Sequence, residues 1–297
     1  RRVRLSLARG VETWDTPDID ASATTTVAGA WSFLVEGASP LQTGVAPGTI
    51  DTRRAAVVTG YVRLPNGDPA PLATVDVLGH PELGSTITDG SGRFLMLVNS
   101  EAPLTVAVSR EGYLPVQRTV PTGWQEVAHA PDIVLVEPGD VAASIDLTTL
   151  AEVETAAGAV EVDDRGARQT VVLFEPGLEG TAVLPGGATQ PLDEITVRIQ
   201  EYTVGVDGRR RMPAELPPTS AYTFAAEIGI DEADALGASR VELSAPVPVF
   251  LDNFLDIPVG TIVPVGSYDT EAGRWKPDAS GLVIAIVDTA GGEATID

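Results

Sequence analysis

The sequence predicts an all-β chain, and three observations carry that prediction. Thirty glycines and 23 prolines in 297 residues punctuate the chain too often for long helices and suit short strands joined by turns. Around Ala56 the run AVVTGYVRL alternates, with Val58, Val62 and Leu64 on one side and Thr59, Tyr61 and Arg63 on the other, the period of a half-buried strand. Such runs then recur at the spacing of a β-sandwich.

Residues 1–56 show little periodicity. WDTPDIDASATTT is polar and turn-prone, and AWSFLVEGASPLQTGVAPGTID supplies one short apolar run. This reads as an extended segment lying across a neighbouring surface, with Trp31, Phe33 and Leu34 as anchors, because its apolar content is too sparse to offset the entropy of ordering alone.

Residues 57–137 read as a first domain. After AVVTGYVRL come the turn PNGDPAPL, then TVDVLGH, STITDGSGRFLMLV, LTVAVSREGYLPVQRTV and PDIVLVE. Three short elements recur here in a known combination: Gly60-x-Val62, the turn from Asp89 to Phe94, and Arg110-x-Gly112-Tyr113. With them the stretch resembles the carboxypeptidase regulatory-like, transthyretin-like sandwich. That resemblance implies a fold and is almost silent on function.

Residues 138–297 read as a second β-rich domain with strands at RQTVVLF, GTAVL, EITVRIQEYTV, SAYTFAAEIGI, RVEL, VPVFL and LVIAIV. Tyr222, Phe224, Ala226, Ile228 and Ile230 fall on one strand face and are expected in the core. A short helix is expected at DEADAL, with Asp231 as N-cap and Gly237 just past the end. The basic run Arg209–Arg211 reads as a solvated loop.

The stretch Phe250 to Asp269, FLDNFLDIPVGTIVPVGSYD, is apolar, rich in Pro and Gly, and has no cation. One reading makes it a pair of hairpins closing the domain's own core, with Trp275 covering that core from a hairpin tip. The other makes it an apolar, loop-presented surface that inserts into a partner. Phe250, Phe254, Leu255 and Ile257 would then be the anchors, and Asp252 and Asn253 would pair with the partner.

A wider pattern bears on that choice. FEPGLEGTAVLPGG, EYTVG, PPTSAYTF and the run from DNFLDIPVG through GSYD to GRWKP are similar to the fibronectin-like plug module ahead of the YD-repeat shell in bacterial RHS-repeat, teneurin-like proteins. The similarity spans roughly residues 33–288. It implies a transthyretin-like sandwich followed by a second, sandwich-like plug. The plug closes one end of a hollow β-shell that encloses a C-terminal payload, often a toxin. The implied partners are the shell, supplied by downstream chain of the same protein or by its cleaved fragment, and the payload. The implied setting is secreted or cell-surface in a bacterium. The chain holds no YD repeats, and its RRVR start without an initiator Met suits a piece of a longer polypeptide.

Composition narrows the alternatives. A formal net charge of −23 disfavours nucleic acid, whose phosphates need clustered Lys and Arg. Nowhere does an apolar run reach the length of a membrane-spanning helix. With no cysteine there is no thiolate nucleophile and no Cys-based zinc site. His80 and His129 are the only histidines and sit in no recognisable motif: His80 reads as a turn residue and His129 as preceding a strand. Asp15, Asp18 and Asp20, or Asp163 and Asp164, offer oxygens of the kind calcium takes, against the ordinary reading of solvated acidic loops. Asp252 and Asp256 imitate a glycosidase pair but lack its sugar-stacking aromatics. The sequence therefore predicts no enzyme and no cofactor. The alternative from another class is a free-standing extracellular binding or adhesion module for a carbohydrate or protein ligand.

Overall fold

A computed structural model of the chain describes residues 25–216, 223–290 and 293–297. Its secondary structure is a succession of short strands with a few helical turns, so the all-β class is as predicted. Two compact units are present. One contains the described residues up to Glu137 together with Asp207–Glu215, and the other contains Pro138–Val206 and the described residues from Leu216 on. No helix among the described residues is long and apolar enough to cross a membrane.

The first unit holds two four-stranded sheets. In one, the strand Ala55–Arg63 lies centrally, antiparallel to Arg93–Asn99 and parallel to Val127–His129 and Ile133–Val134. The other runs Ser85–Ile87, Thr74–Val77, Leu104–Ser109, Val116–Val120, all antiparallel. Val58, Val62, Val75, Phe94, Met96, Val106 and Ile133 form the core. His129 precedes the strand Ile133–Val134 as expected, and it also ends the strand Val127–His129.

The central strand is buried on both faces, which simple alternation did not predict. Val57 and Ala55 pack outward with Leu95 and Leu97 beneath Ala28 and Leu34, with Trp31 and Phe33 beside them. The anchors are those expected, but they ride on helical turns at Val27–Ala30 and Ser32–Leu34 instead of an extended segment. Gln42 completes this cover. Its side-chain amide donates to the carbonyls of Leu83 (2.8 Å) and Leu97 (2.9 Å) and accepts from the Leu97 N–H (2.7 Å), so a side chain pairs the sheet edge as a strand would.

The three recurring motif elements have physical causes here. A Cβ on Gly60 would lie 2.7 Å from the Phe94 ring, so only glycine lets that ring cross the strand. In the turn Asp89–Gly92, the Asp89 carboxylate accepts from the N–H groups of Ser91 (2.9 Å) and Arg93 (3.0 Å). Gly92 takes φ +76°, and a Cβ there would lie 2.3 Å from the Val62 carbonyl oxygen. Arg110 sits 5.3 Å over the Tyr113 ring, which packs against the core.

Arg209–Arg211 departs from expectation. Gly208–Arg211 is a helical turn within the first unit, followed by buried Met212 and Ala214. The Gln117 N–H donates to Pro213 (2.7 Å). Buried Arg118 donates to the carbonyls of Arg210 (2.7 Å) and Met212 (3.0 Å). The run's main chain caps the sheet edge, while the Arg209 and Arg210 side chains stay exposed as expected.

The second unit contains three three-stranded sheets: Ala142–Asp146 with Glu194–Glu201 and Ala226–Ile230; Glu154–Ala157 with Thr170–Phe174 and Val249–Leu251; and Thr189–Leu192 with Gly180–Val183 and Arg240–Leu243. Ile145, Ala156, Val172, Phe174, Leu192, Ile195 and Val197 fill its core. Of the face expected inside, Ala226 and Ile230 pack on this core. Ile228 is 42% exposed, on an outer strand of its sheet. Tyr222 lies outside the described residues. The predicted helix forms at Asp231–Ala235, with Gly237 at φ +63° past its end. Its N-cap is Ile230 rather than Asp231, whose carboxylate is taken by Arg198 Nε at 2.8 Å.

Candidate partner-binding surface

Beyond Ala233 none of the described residues is fully buried. Among the described residues, the chain from Val249 onward consists of one edge strand, a loop, and three two-stranded pairs: Ile262–Val263 with Gly281–Leu282, Gly266–Asp269 with Arg274–Pro277, and Ile286–Ala290 with Glu293–Ile296. Val249, Phe250, Leu251, Leu255, Val259, Ile262, Val265 and Leu282 all leave more than a third of their surface in solvent. An apolar stretch so exposed is unusual for a free surface. Trp275 packs against Tyr268 with the rings tilted by 54° and their centres 5.2 Å apart, within its own hairpin and within the strand rather than at the tip.

The loop carrying these side chains is held by the unit itself. Phe250 pairs with Val171 across the sheet, and its side chain is 42% exposed. Asp252 accepts from the Gln169 N–H at 3.0 Å. Asn253 closes its own loop, accepting from the Ile257 N–H (2.9 Å) and donating to the Ile257 carbonyl (2.7 Å). Asp252 and Asn253, expected to reach a partner, thus bond within the chain and shape the loop. Asp256 takes the left-handed conformation (φ 53°). Leu255 is left exposed and Phe254 is half-buried.

Phe254 is seated by residues that sequence reasoning did not single out. The Arg168 guanidinium lies 4.6 Å from its ring centre and that of Arg165 lies 5.6 Å away. Arg168 is itself buried, pairing with Glu201 (Nη2 to Oε1, 2.7 Å) and Asp163 (Nη1 to Oδ1, 2.8 Å). The Thr203 hydroxyl also donates to Glu201, and Arg165 donates to the Thr203 carbonyl. The hydrogen bonds from Arg168 hold the Asp163 carboxyl well below the usual carboxylate range. Asp163 is therefore an internal ion-pair partner and not a free calcium ligand. Asp15, Asp18 and Asp20 lie outside the described residues, and among the described ones no group of three metal-ligating side chains converges.

A second polar pair lies nearby in sequence. The buried Tyr202 hydroxyl meets the Glu227 carboxylate at 3.0 Å. Burial raises the Glu227 pKa; the tyrosine hydrogen bond partly counters this, and the neighbouring Asp234 adds to it.

Comparison with known proteins bears on the first unit. Residues 50–135 match the family model of the Teneurin TTR-like domain, so the transthyretin-like resemblance of that stretch is shared by an independent family description. No curated protein matches the sequence significantly. Solved structures that align include catechol 1,2-dioxygenase from Acinetobacter sp. ADP1 inhibited by bound mercury, at 14% identity and TM-score 0.24, over 31% of this chain and 56% of that one. Another is 3-chlorocatechol 1,2-dioxygenase from Rhodococcus opacus 1CP, at 14% identity and TM-score 0.25, over 39% and 72%. The chain thus spans little more than half of the first, and at such scores neither bears on fold or activity.

Proposed function

We propose that this chain is a non-catalytic structural part of a teneurin-like RHS/YD-repeat protein, and that its second unit plugs one end of the hollow β-shell. The observation that supports this reading is the apolar strand and loop at 249–257, left in solvent yet fixed in shape by Asp252, Asn253 and Arg168. A stopper needs apolar anchors that are already ordered before they dock, because preorganisation lowers the entropic cost of binding. The Teneurin TTR-like match of residues 50–135 is compatible with the neighbourhood such a plug would have. In this reading the shell is supplied by downstream chain or its cleaved fragment, it encloses a payload that is typically a toxin, and the whole is exported to the bacterial surface or beyond.

Hydrogen exchange of residues 240–280 tests the proposal, in this chain alone and joined to the YD-repeat shell. Protection at 250–257 that rises at least tenfold in the joined protein supports a plug. Equal protection in both would sink it and favour a free-standing binding module.

A further inference from the structure

The strand Val249–Leu251 is the outer member of its sheet. Leu173 N–H donates to the Pro248 carbonyl and Asp252 N–H to the Gln169 carbonyl, which fixes the register. In an antiparallel pair the main-chain groups of alternate residues face the partner strand. Residues 248, 250 and 252 therefore face Thr170–Phe174, and the N–H and C=O of Val249 and Leu251 face outward. The side chains are open on both faces as well: Val249 is 51%, Phe250 42% and Leu251 37% exposed. Natural edge strands are normally blunted by charge, proline or a covering loop, as Gln42 and Pro213 cover the edges of the first unit.

The sequence that follows the strand is acidic. Between Val249 and Ala290 the carboxylates are Asp252, Asp256, Asp269, Glu271, Asp278 and Asp288, and the cations are Arg274 and Lys276. Lys276 pairs with Asp269 and Arg240 reaches Glu271, which leaves Asp252 and Asp256 as the carboxylates next to the strand in sequence.

We infer that the outer edge of Val249–Leu251 docks one extended, cationic segment of a partner polypeptide, which joins the sheet as a further strand. Outward amides and carbonyls two residues apart are matched by another strand and not by a helix. Val249 and Leu251 share one face of the strand, which calls for alternate apolar residues in the added segment, and the chain's net charge of −23 calls for Lys or Arg between them. A second copy of this chain fits poorly, since it would bring another −23 of net charge. The inference rests on the shell reading, in which the segment is a strand of the shell wall.

The test titrates the whole chain, at low salt, with a capped eight-residue peptide alternating arginine and valine. Two controls run beside it: a glutamate–valine counterpart, and an arginine–valine peptide N-methylated at alternate amides. The expected result is a shift of the Val249 and Leu251 amide signals with exchange slowed at least tenfold, by the unmodified arginine peptide alone. Val249→Pro, which removes an outward N–H and leaves the ladder groups of residues 248, 250 and 252 in place, should weaken binding at least tenfold. An equal response to the N-methylated or glutamate peptide, or no response at these amides, would overturn the inference. So would slowed exchange that depends on protein concentration without peptide, because it would identify a second copy as the occupant. The peptide controls decide the matter even if the proline variant misfolds. Val249→Pro joined to the shell separates the two readings: docking that survives it refutes the edge and leaves the plug. Peptide binding at the edge in a protein that never docks its shell refutes the plug.

Discussion

The guanidinium of Arg168 lies 4.6 Å from the centre of the Phe254 ring while both its sides are occupied by carboxylates, Asp163 at 2.8 Å and Glu201 at 2.7 Å. One side chain therefore joins the hairpin Glu161–Arg168, the strand Glu194–Glu201 and the exposed loop. A buried charge thus joins Asp252 and Asn253 in ordering the loop, which among the described residues has no apolar core beneath it.

Replacing Arg168 with Met should destabilise the second unit by about 3–5 kcal/mol, the usual cost of leaving a buried carboxylate without its partner. Exchange at residues 252–257 should rise first, ahead of the sheets. Replacing Arg168 and Glu201 together with leucine should recover most of the stability but not the seat of Phe254. Denaturant unfolding and hydrogen exchange on the three proteins check this, and an unperturbed loop in Arg168→Met would refute the clasp.

The acid dependence of that clasp follows from Asp163. Its folded-state pKa is depressed, so its stabilising effect is present above the ordinary carboxylate value and lost only as pH falls through the depressed one. Loop protection at 252–257 should therefore be constant from neutral pH to about pH 4, the ordinary range of an aspartate, and disappear under stronger acid.

Glu227 has the opposite sign. Its raised folded-state pKa makes the folded state hold a proton that the unfolded state has released, so stability falls as pH rises from the ordinary glutamate value through the raised one. Asp234, also raised by burial and by Asp231, adds to the same trend. Glu227→Gln keeps an acceptor for the Tyr202 hydroxyl. It should stabilise the second unit at neutral pH, leave it unchanged near pH 4, and flatten the pH profile followed by exchange of Glu194–Glu201.

In the first unit, Gln42→Ala should cost about 1–3 kcal/mol, because it strands the buried Leu97 N–H and its carbonyl without partners. Gly92→Ala should cost more than about 1 kcal/mol from its positive φ alone, and further from the clash with Val62. Thermal unfolding of the two variants, compared with an exposed control such as Glu111→Ala, measures both.

Much of the fold was legible because it was written locally. The alternation from Ala56, the Asp89–Gly92 turn and the glycine after DEADAL each specify a conformation through nearest neighbours. The burial of Val57 and Leu95 was not legible, because it depends on Leu34 arriving from elsewhere in the chain. The exposed loop was visible as an apolar, turn-rich run, but its support was not. Arg168 and Glu201 stand 33 residues apart, and nothing in DDRGAR distinguishes a buried arginine from a solvated one. Asp252 and Asn253 read as partner contacts in the sequence because their polarity is visible there and their in-chain acceptors and donors are not.

The segment Asp207–Glu215 has a consequence for how the protein is made. Synthesis delivers Arg118 94 residues before Met212, and the strands from Ala142 to Glu201 emerge in between. The first unit therefore cannot be finished in the order in which it is translated. Its Val116–Val120 edge stays open while competing strands appear, and a ribosome-bound chain stopped at residue 206 should leave that edge exchanging freely. The N-terminal unit is begun first and closed late, which makes its completion a report that the chain has been made through residue 215.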